Sequence, residues 1–107
     1  METIKNESTV FFDVDSTLIE SSTKIDERGN LYRSIEKQYF GNIDQIISHK
    51  KRGFFVVGWS ANGHEWAQHV VKHIGVEEFV DIVMTKPHAY FDDKDANDWM
   101  GRAFVND

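Results

Sequence analysis

One stretch near the start of the chain constrains the fold more than any other. Apolar residues at positions 10–12 run directly into two aspartates, Asp13 and Asp15, which alternate with Val14. An unbroken run of β-branched and aromatic residues is typical of a strand buried in a sheet, so residues 10–14 are predicted to form one. Two carboxylates so close together would repel each other in a dry site. The pair therefore suggests a divalent cation between them, or a nucleophile beside an acid–base group.

The rest of the chain alternates short apolar runs with amphipathic segments, which predicts an α/β domain with a largely parallel sheet in three layers. Further strands are expected at residues 54–57, 79–84, 89–91 and 103–105. Helices are expected at residues 34–51, 64–74 and 94–100. Between the first strand and the first helix, turn-forming residues at 28–30 predict a small β-hairpin with arms at 23–25 and 31–33.

Composition narrows the class of protein. The chain has 107 residues, the size of one small domain, and we expect a single domain over residues 1–107. Its net charge is −6, with 18 acidic and 12 basic residues, which argues against an extended nucleic-acid-binding surface. There is no cysteine, so disulfides and thiolate metal sites are excluded. Neither a signal-peptide core nor a membrane-spanning apolar run is evident, and we expect a cytoplasmic protein with no membrane partner.

Each loop that carries reactive side chains follows a predicted strand. In open parallel sheets, sites form beyond the carboxyl ends of the strands. We therefore expect one edge of the sheet to gather Asp13, Asp15, Ser60, Lys86, Asp92 and Asp93. Each of these residues also has a purely structural interpretation. An aspartate or serine after a strand can cap a turn or the next helix, and a lone lysine or an acidic pair can simply be solvated.

These residues fall into four ordered motifs. An apolar strand leads into Asp13-Val14-Asp15-Ser16-Thr17, a second ends in Ser60, Lys86 stands before Pro87, and a further strand is predicted to end in Asp92-Asp93. In this order the motifs resemble those of the haloacid dehalogenase (HAD) superfamily of phosphohydrolases, over roughly residues 9–100. The resemblance implies a three-layer Rossmann-like fold with a small β-hairpin flap at about residues 18–33 and no cap domain.

The resemblance also implies roles for the four aspartates. Asp13 would be the nucleophile that forms an aspartyl-phosphate intermediate. Asp15 would protonate the leaving oxygen and then activate water. Asp13, Asp15, Asp92 and Asp93 would together hold Mg²⁺, a hard cation that takes oxygen ligands.

The other two motifs would bind the phosphoryl group. Ser60, with backbone N–H groups at Ala61 and Asn62, would donate to a phosphoryl oxygen, and Lys86 would neutralise charge on the nucleophile and the phosphate. The expected function is Mg²⁺-dependent hydrolysis of a phosphomonoester in an open site, with a nucleotide or a nucleic-acid end as candidate substrates. Two alternatives stay open: a catalytically silent HAD-fold binding module, and a receiver-like phosphoacceptor domain. The sequence does not indicate an oligomeric state.

Overall fold

The computed structural model describes residues 8–103 of the chain. In chain order its elements are β1 (Thr9–Asp13), β2 (Ile19–Ile25), β3 (Leu31–Gln38), α1 (Phe40–Lys51), β4 (Phe55–Ser60), α2 (His64–His73) and β5 (Ile82–Thr85), with short 3₁₀ helices at Glu77–Phe79 and Ala96–Asp98. The sheet of order β1-β4-β5 is parallel throughout, and β2 and β3 form a separate antiparallel pair. The predicted α/β class and parallel sheet are therefore confirmed.

Both α-helices pack on the same face of the parallel sheet. Phe12 of β1 pairs in register with Gly58 of β4, so the two residues share a face. The Phe12 ring lies edge-on to His49 of α1, with ring centroids 5.8 Å apart. A Cβ placed at Gly58 would lie 3.6 Å from a methyl group of Val71 in α2. Residues 8–103 thus form one sheet layer and one layer of α-helices, without the second helical layer that a three-layer fold requires.

The buried core lies between this face and the two helices. It is a single cluster that includes Val14, Leu18, Ile46, Val56 and Val70, each with at most 1% of its surface exposed. Burying an aliphatic side chain of this size contributes roughly 1.5–3 kcal/mol to folding. Because Val14 and Leu18 belong to the loop after β1, the core itself fixes that loop against the sheet.

The opposite face of the sheet is only partly covered. Phe11 and Ile82 point to this side and remain 37% and 46% exposed. Phe11 stacks on Trp59 with ring centroids 4.3 Å apart. The irregular segment after β5 lies near these rings, and together they line two clefts. The sheet face opposite the helices is therefore apolar, aromatic and accessible.

The β2–β3 hairpin is longer than the sequence predicted. Residues 34–38 were expected to begin the first helix, but β3 continues through Gln38 and α1 starts at Phe40. Ile35 and Tyr39 have a spacing that also fits a helix, but Ile35 pairs across the hairpin with Ser21. The predicted turn is present: Gly29 adopts a φ of +83°, a conformation that glycine reaches at little cost.

The segment after β5 differs most from expectation. Residues 89–91 were predicted as a fourth strand but do not join the sheet, and residues 94–100 contain only the 3₁₀ turn Ala96–Asp98. Phe91 is fully exposed, and the hydroxyl of Tyr90 accepts a hydrogen bond from the Ala96 N–H at 2.9 Å. The apolar run is short and follows Pro87, which has no N–H to offer a neighbouring strand. In the predicted strand at 103–105, Ala103 is irregular, and the rest lies outside the described residues.

The remaining predicted elements need smaller corrections. The strand predicted at 79–84 begins only at Ile82, because the Glu77–Phe79 turn occupies its start. The predicted helix at 64–74 is confirmed within one residue, and Gly75 ends it with a φ of +78°. None of the helices within residues 8–103 is both long enough and apolar enough to cross a membrane.

Candidate functional site

The loop after β1 is held tightly by its own backbone. The carbonyl of Val14 accepts hydrogen bonds from the N–H groups of Thr17, Leu18 and Ile19 at 3.3, 2.8 and 3.2 Å. Ser16 has a φ of +64°, which is uncommon for a residue other than glycine and marks a tight, constrained turn. Because Val14 is fully buried, the acidic side chains on either side of it are fixed at the carboxyl end of β1.

Asp13 lies next to Lys86, as the order of parallel strand ends predicts. The Lys86 N–H donates to the Ser60 carbonyl at 2.9 Å, which extends the pairing of β5 with β4. This register brings Lys86 Nζ to 4.0 Å from Asp13 Oδ1. The two side chains are 45% and 36% exposed, so both can reach a ligand. The pair places a carboxylate oxygen and a cation side by side at the carboxyl ends of β1 and β5.

Asp15 sits in a network of hydrogen-bond donors. Its Oδ1 accepts from Ser21 Oγ at 2.9 Å. Its Oδ2 accepts from Asn62 Nδ2 at 2.8 Å and from Trp66 Nε1 at 3.1 Å. Arg33 Nη1 lies 3.6 Å from Oδ1. Every partner donates, which a carboxylate can accommodate through its two oxygens. Asp15 therefore joins the hairpin to the β4–α2 loop and to α2.

The predicted phosphoryl-binding residues do not face a common space. Ser60 is 1% exposed, and its Oγ accepts from the Asn62 N–H at 3.0 Å. Ala61 is exposed but lies outside the cleft lining. The side chain of Asn62 is directed to Asp15. Of the four residues proposed to bind the substrate, the structure places Lys86 alone on the cleft.

Three partners of the site were not identified from the sequence. Ser21 and Trp66 hold Asp15, and Thr85 Oγ1 accepts from the His64 N–H at 3.0 Å, so that the end of β5 caps α2. The position of Trp66 on the apolar face of α2 indicates a core residue, and it does pack against the core. A side chain that packs with its ring and donates with its indole N–H satisfies both roles, and the helical pattern detects only the first.

Asp92 and Asp93 are not brought to the cleft. Both are exposed, neither lines the space beside Asp13, and Asp92 Oδ1 accepts from the Lys94 N–H at 2.9 Å in a local turn. Within residues 8–103, no group of three or more metal-ligating side chains is positioned to hold a metal ion. The four aspartates of the predicted magnesium site are therefore not assembled: Asp13 and Asp15 line the cleft, and Asp92 and Asp93 do not.

A cleft of about 860 Å³ opens beside Asp13. Its walls come from β1, the following loop, α1, β4 and the chain after β5, and they include Asp15, Asn42, His49, Trp59 and Lys86. Its volume falls in the range of small-molecule sites. Its lining combines charged side chains, such as Asp13 and Lys86, with the aromatic rings of Trp59 and Trp99.

Comparisons of the chain with protein-family models, with curated proteins and with solved structures found no match.

Proposed function

We propose that the protein is a phosphatase that hydrolyses a phosphomonoester through Asp13. The observation that carries the proposal is the pairing of Asp13 with Lys86 at 4.0 Å on an open cleft. A carboxylate at the end of a parallel strand, with a cation beside it, can both attack phosphorus and balance the charge of the phosphate. The HAD-like order of motifs in the sequence implies the same role for Asp13.

The chemistry needs two displacements at phosphorus. In the first, an Asp13 oxygen bonds to phosphorus while the bond to the leaving oxygen breaks, and the leaving oxygen keeps the electron pair and takes a proton. In the second, water attacks the aspartyl-phosphate, which releases inorganic phosphate and restores the Asp13 carboxylate. Lys86 is positioned to stabilise negative charge in both steps. Asp15 is the proposed proton carrier. To reach the leaving oxygen, its carboxylate must break one of the hydrogen bonds that it now accepts.

Magnesium is part of the proposal with a smaller ligand set than the sequence predicted. Mg²⁺ usually binds through one or two carboxylates and completes its octahedral shell with water and substrate oxygens. Asp13, whose side chain is 36% exposed, would supply one such carboxylate. When bound, the ion would supply additional charge neutralisation for the phosphoryl group.

The hairpin is proposed to act as a flap beside the site. Ser21 of β2 and Arg33 of β3 both contact Asp15, so a movement of the hairpin would change the surroundings of that carboxylate. The tip is solvent-exposed, with Ile25 and Leu31 at 68% and 69%, whereas the base is anchored by the fully buried Ile19. An anchored base and a free tip suit a flap.

A catalytically silent binding module is the second candidate. It is favoured by the hydrogen bonds that occupy both oxygens of Asp15 and by the burial of Ser60. A receiver-like phosphoacceptor, the third reading of the sequence, would accept a phosphoryl group on Asp13 and keep it. The three differ in what happens to a phosphate ester.

One assay separates these candidates. The protein is incubated with p-nitrophenyl phosphate, with Mg²⁺ and then with EDTA, and phosphate release is measured for wild type, Asp13→Asn and Asp44→Asn. Asp44 is an exposed carboxylate on α1 that does not line the cleft, which makes it a matched control. We expect Asp13→Asn to lose at least about 10³-fold in kcat/KM and the control to stay near wild type. Equal activity in all three proteins would overturn the proposal.

The same proteins are then treated with acetyl phosphate. Stable labelling of Asp13 without turnover would identify a phosphoacceptor. Neither labelling nor hydrolysis across a panel of phosphate esters would identify the silent module.

A further inference from the structure

We infer that the leaving alcohol of the substrate carries a planar aromatic ring, which binds in a second cleft next to Lys86. This inference rests on the proposed phosphatase function and names its substrate class. The second cleft has a volume of about 480 Å³ and is lined mainly by aromatic and apolar side chains, among them Phe11, Trp59, Tyr90, Trp99 and Met100. It lies on the sheet face that the helices leave open.

The two clefts adjoin each other. Phe11, Trp59, Lys86, Trp99 and Met100 line both of them. The second cleft therefore lies directly beside the one that contains Asp13. This adjacency makes it a candidate subsite of the proposed site.

Lys86 lies at the junction. Its Nζ is 4.0 Å from Asp13 Oδ1 and 5.9 Å from the centroid of the Trp59 ring. Laid end to end, these distances place the Trp59 ring within about 10 Å of the nucleophile. A phosphate at Asp13 and a ring against Trp59 can thus belong to one small molecule. The Lys86 ammonium group would contact the phosphate, and the aromatic side chains of the second cleft would contact the aromatic group of the ligand.

The side chains that line the second cleft expose apolar surface to water, and an aromatic ring of a ligand would bury it. Tyr90 and Trp99 are each 55% exposed and Met100 is 39% exposed. Tyr90 and Trp99 meet edge to face with centroids 6.4 Å apart, an arrangement that aromatic rings favour. Burial of apolar surface and ring stacking both favour an aromatic group over a hydrated sugar or a short alkyl chain.

The size of the cleft selects a small molecule over a macromolecule. Pockets of roughly 300–1,000 Å³ are typical of small ligands, whereas a stable protein interface buries on the order of 1,200–2,000 Å². The second cleft is concave and lies beside a charged site, which are properties of a ligand subsite. A nucleoside and a simple aryl alcohol share the required ring, and the experiment distinguishes them.

The test compares esters whose leaving alcohols have nearly the same acidity, so that intrinsic reactivity is matched. The first pair is benzyl phosphate and methyl phosphate, and the second is adenosine 5′-monophosphate and ribose 5-phosphate. The kcat/KM ratio within each pair is measured for wild type, Trp99→Ala and Phe91→Ala. Phe91 is a fully exposed ring on the same segment and lies outside both clefts, so it serves as the control.

We expect wild type to prefer the ring-bearing ester, and Trp99→Ala to reduce that preference about tenfold while Phe91→Ala retains it. A preference in the benzyl pair alone indicates an aryl ester, and one in the adenosine pair alone indicates a nucleotide. Hydrolysis of both members of each pair at equal rates would overturn the inference and leave the phosphatase function standing.

A binding measurement separates failure of the inference from failure of the function. The affinities of Asp13→Asn for benzyl phosphate and methyl phosphate are measured by calorimetry, which needs no turnover. Tighter binding of the benzyl ester, lost in the Asp13→Asn/Trp99→Ala double variant, supports the subsite even if no ester is hydrolysed. Equal affinities would overturn it.

Discussion

The indole Nε1 of Trp66 donates a hydrogen bond to Oδ2 of Asp15 at 3.1 Å. The two residues are 51 positions apart, one on the loop after β1 and the other in the first turns of α2. Arg33 of the hairpin lies over the same indole ring, 5.3 Å from its centroid, and 3.6 Å from Oδ1 of Asp15. Three separate parts of the chain therefore determine the position of one carboxylate.

Replacement of Trp66 by Phe tests this arrangement, because an aromatic ring, although a smaller one, stays at the position and the N–H donor is removed. We expect the free energy of unfolding to fall by about 1 kcal/mol, the usual net value of one hydrogen bond, and kcat to fall several-fold as Asp15 loses a restraint. Urea unfolding and steady-state kinetics measure the two effects. Gln68→Ala on the same helix, which removes a surface bond to Glu77, is the control. A kcat equal to that of the control would show that this bond does not position Asp15.

Lys86 is expected to act on the phosphate rather than on the fold. Its side chain is 45% exposed, so Lys86→Met should change the unfolding free energy by less than about 0.5 kcal/mol. Loss of the cation should lower kcat/KM for a phosphate ester at least about tenfold. Lys94→Met, on the same segment but away from both clefts, should leave kcat/KM unchanged. Equal losses in the two variants would indicate a general effect of net charge.

The structure and the HAD-like motifs make opposite predictions for the acidic pair. Asp92 and Asp93 lie outside the cleft, so the double variant Asp92→Asn/Asp93→Asn should keep kcat/KM and the Mg²⁺ concentration for half-maximal activity within about twofold of wild type. The HAD resemblance would instead require a large loss. If activity fell a hundredfold and high Mg²⁺ restored it, the pair would be shown to reach the metal, contrary to the structure.

The proximity of Asp13 and Lys86 could be predicted from the sequence because it depends on topology alone. Residues that follow parallel strands meet at one edge of the sheet, and the strands were recognisable from apolar runs. The bounds of α2 were predictable for a similar local reason, since Gly75 stops the helix with a positive φ. Features fixed by strand order or by one special residue can be read from a single sequence.

The surroundings of Asp15 could not be predicted, because they depend on how the elements pack. Trp66 contributes to the apolar pattern of the α2 sequence in the same way, whether its N–H donates to water or to a carboxylate. Ile35 satisfies a helical spacing and a strand pairing equally well, and its pairing with Ser21 decided between them. Ser60 follows its strand as predicted, but the side on which its hydroxyl lies, and hence its burial, depends on which sheet face the helices cover.

Acid sensitivity is expected from Asp81, which ties the start of β5 to β4 and α1. Its carboxylate accepts from Lys50 Nζ at 2.8 and 2.9 Å and from the Val56 N–H at 2.7 Å. These bonds, with Lys50 the larger cause, hold the pKa of Asp81 below its usual value. A group with a lowered folded-state pKa stabilises the fold above its unfolded pKa, near 4, and loses that contribution as the pH falls through the folded pKa.

Asp81→Asn should therefore reduce the free energy of unfolding by about 1 kcal/mol at pH 7. The difference from wild type should shrink as the pH is lowered below about 4, because protonation removes the same charge from the native residue. Urea unfolding at a series of pH values measures both curves, and Asp44→Asn controls for loss of a surface carboxylate. A gap of constant size from pH 7 to pH 3 would mean that the Asp81 charge, and its pairing with Lys50, contributes nothing to the stability of the fold.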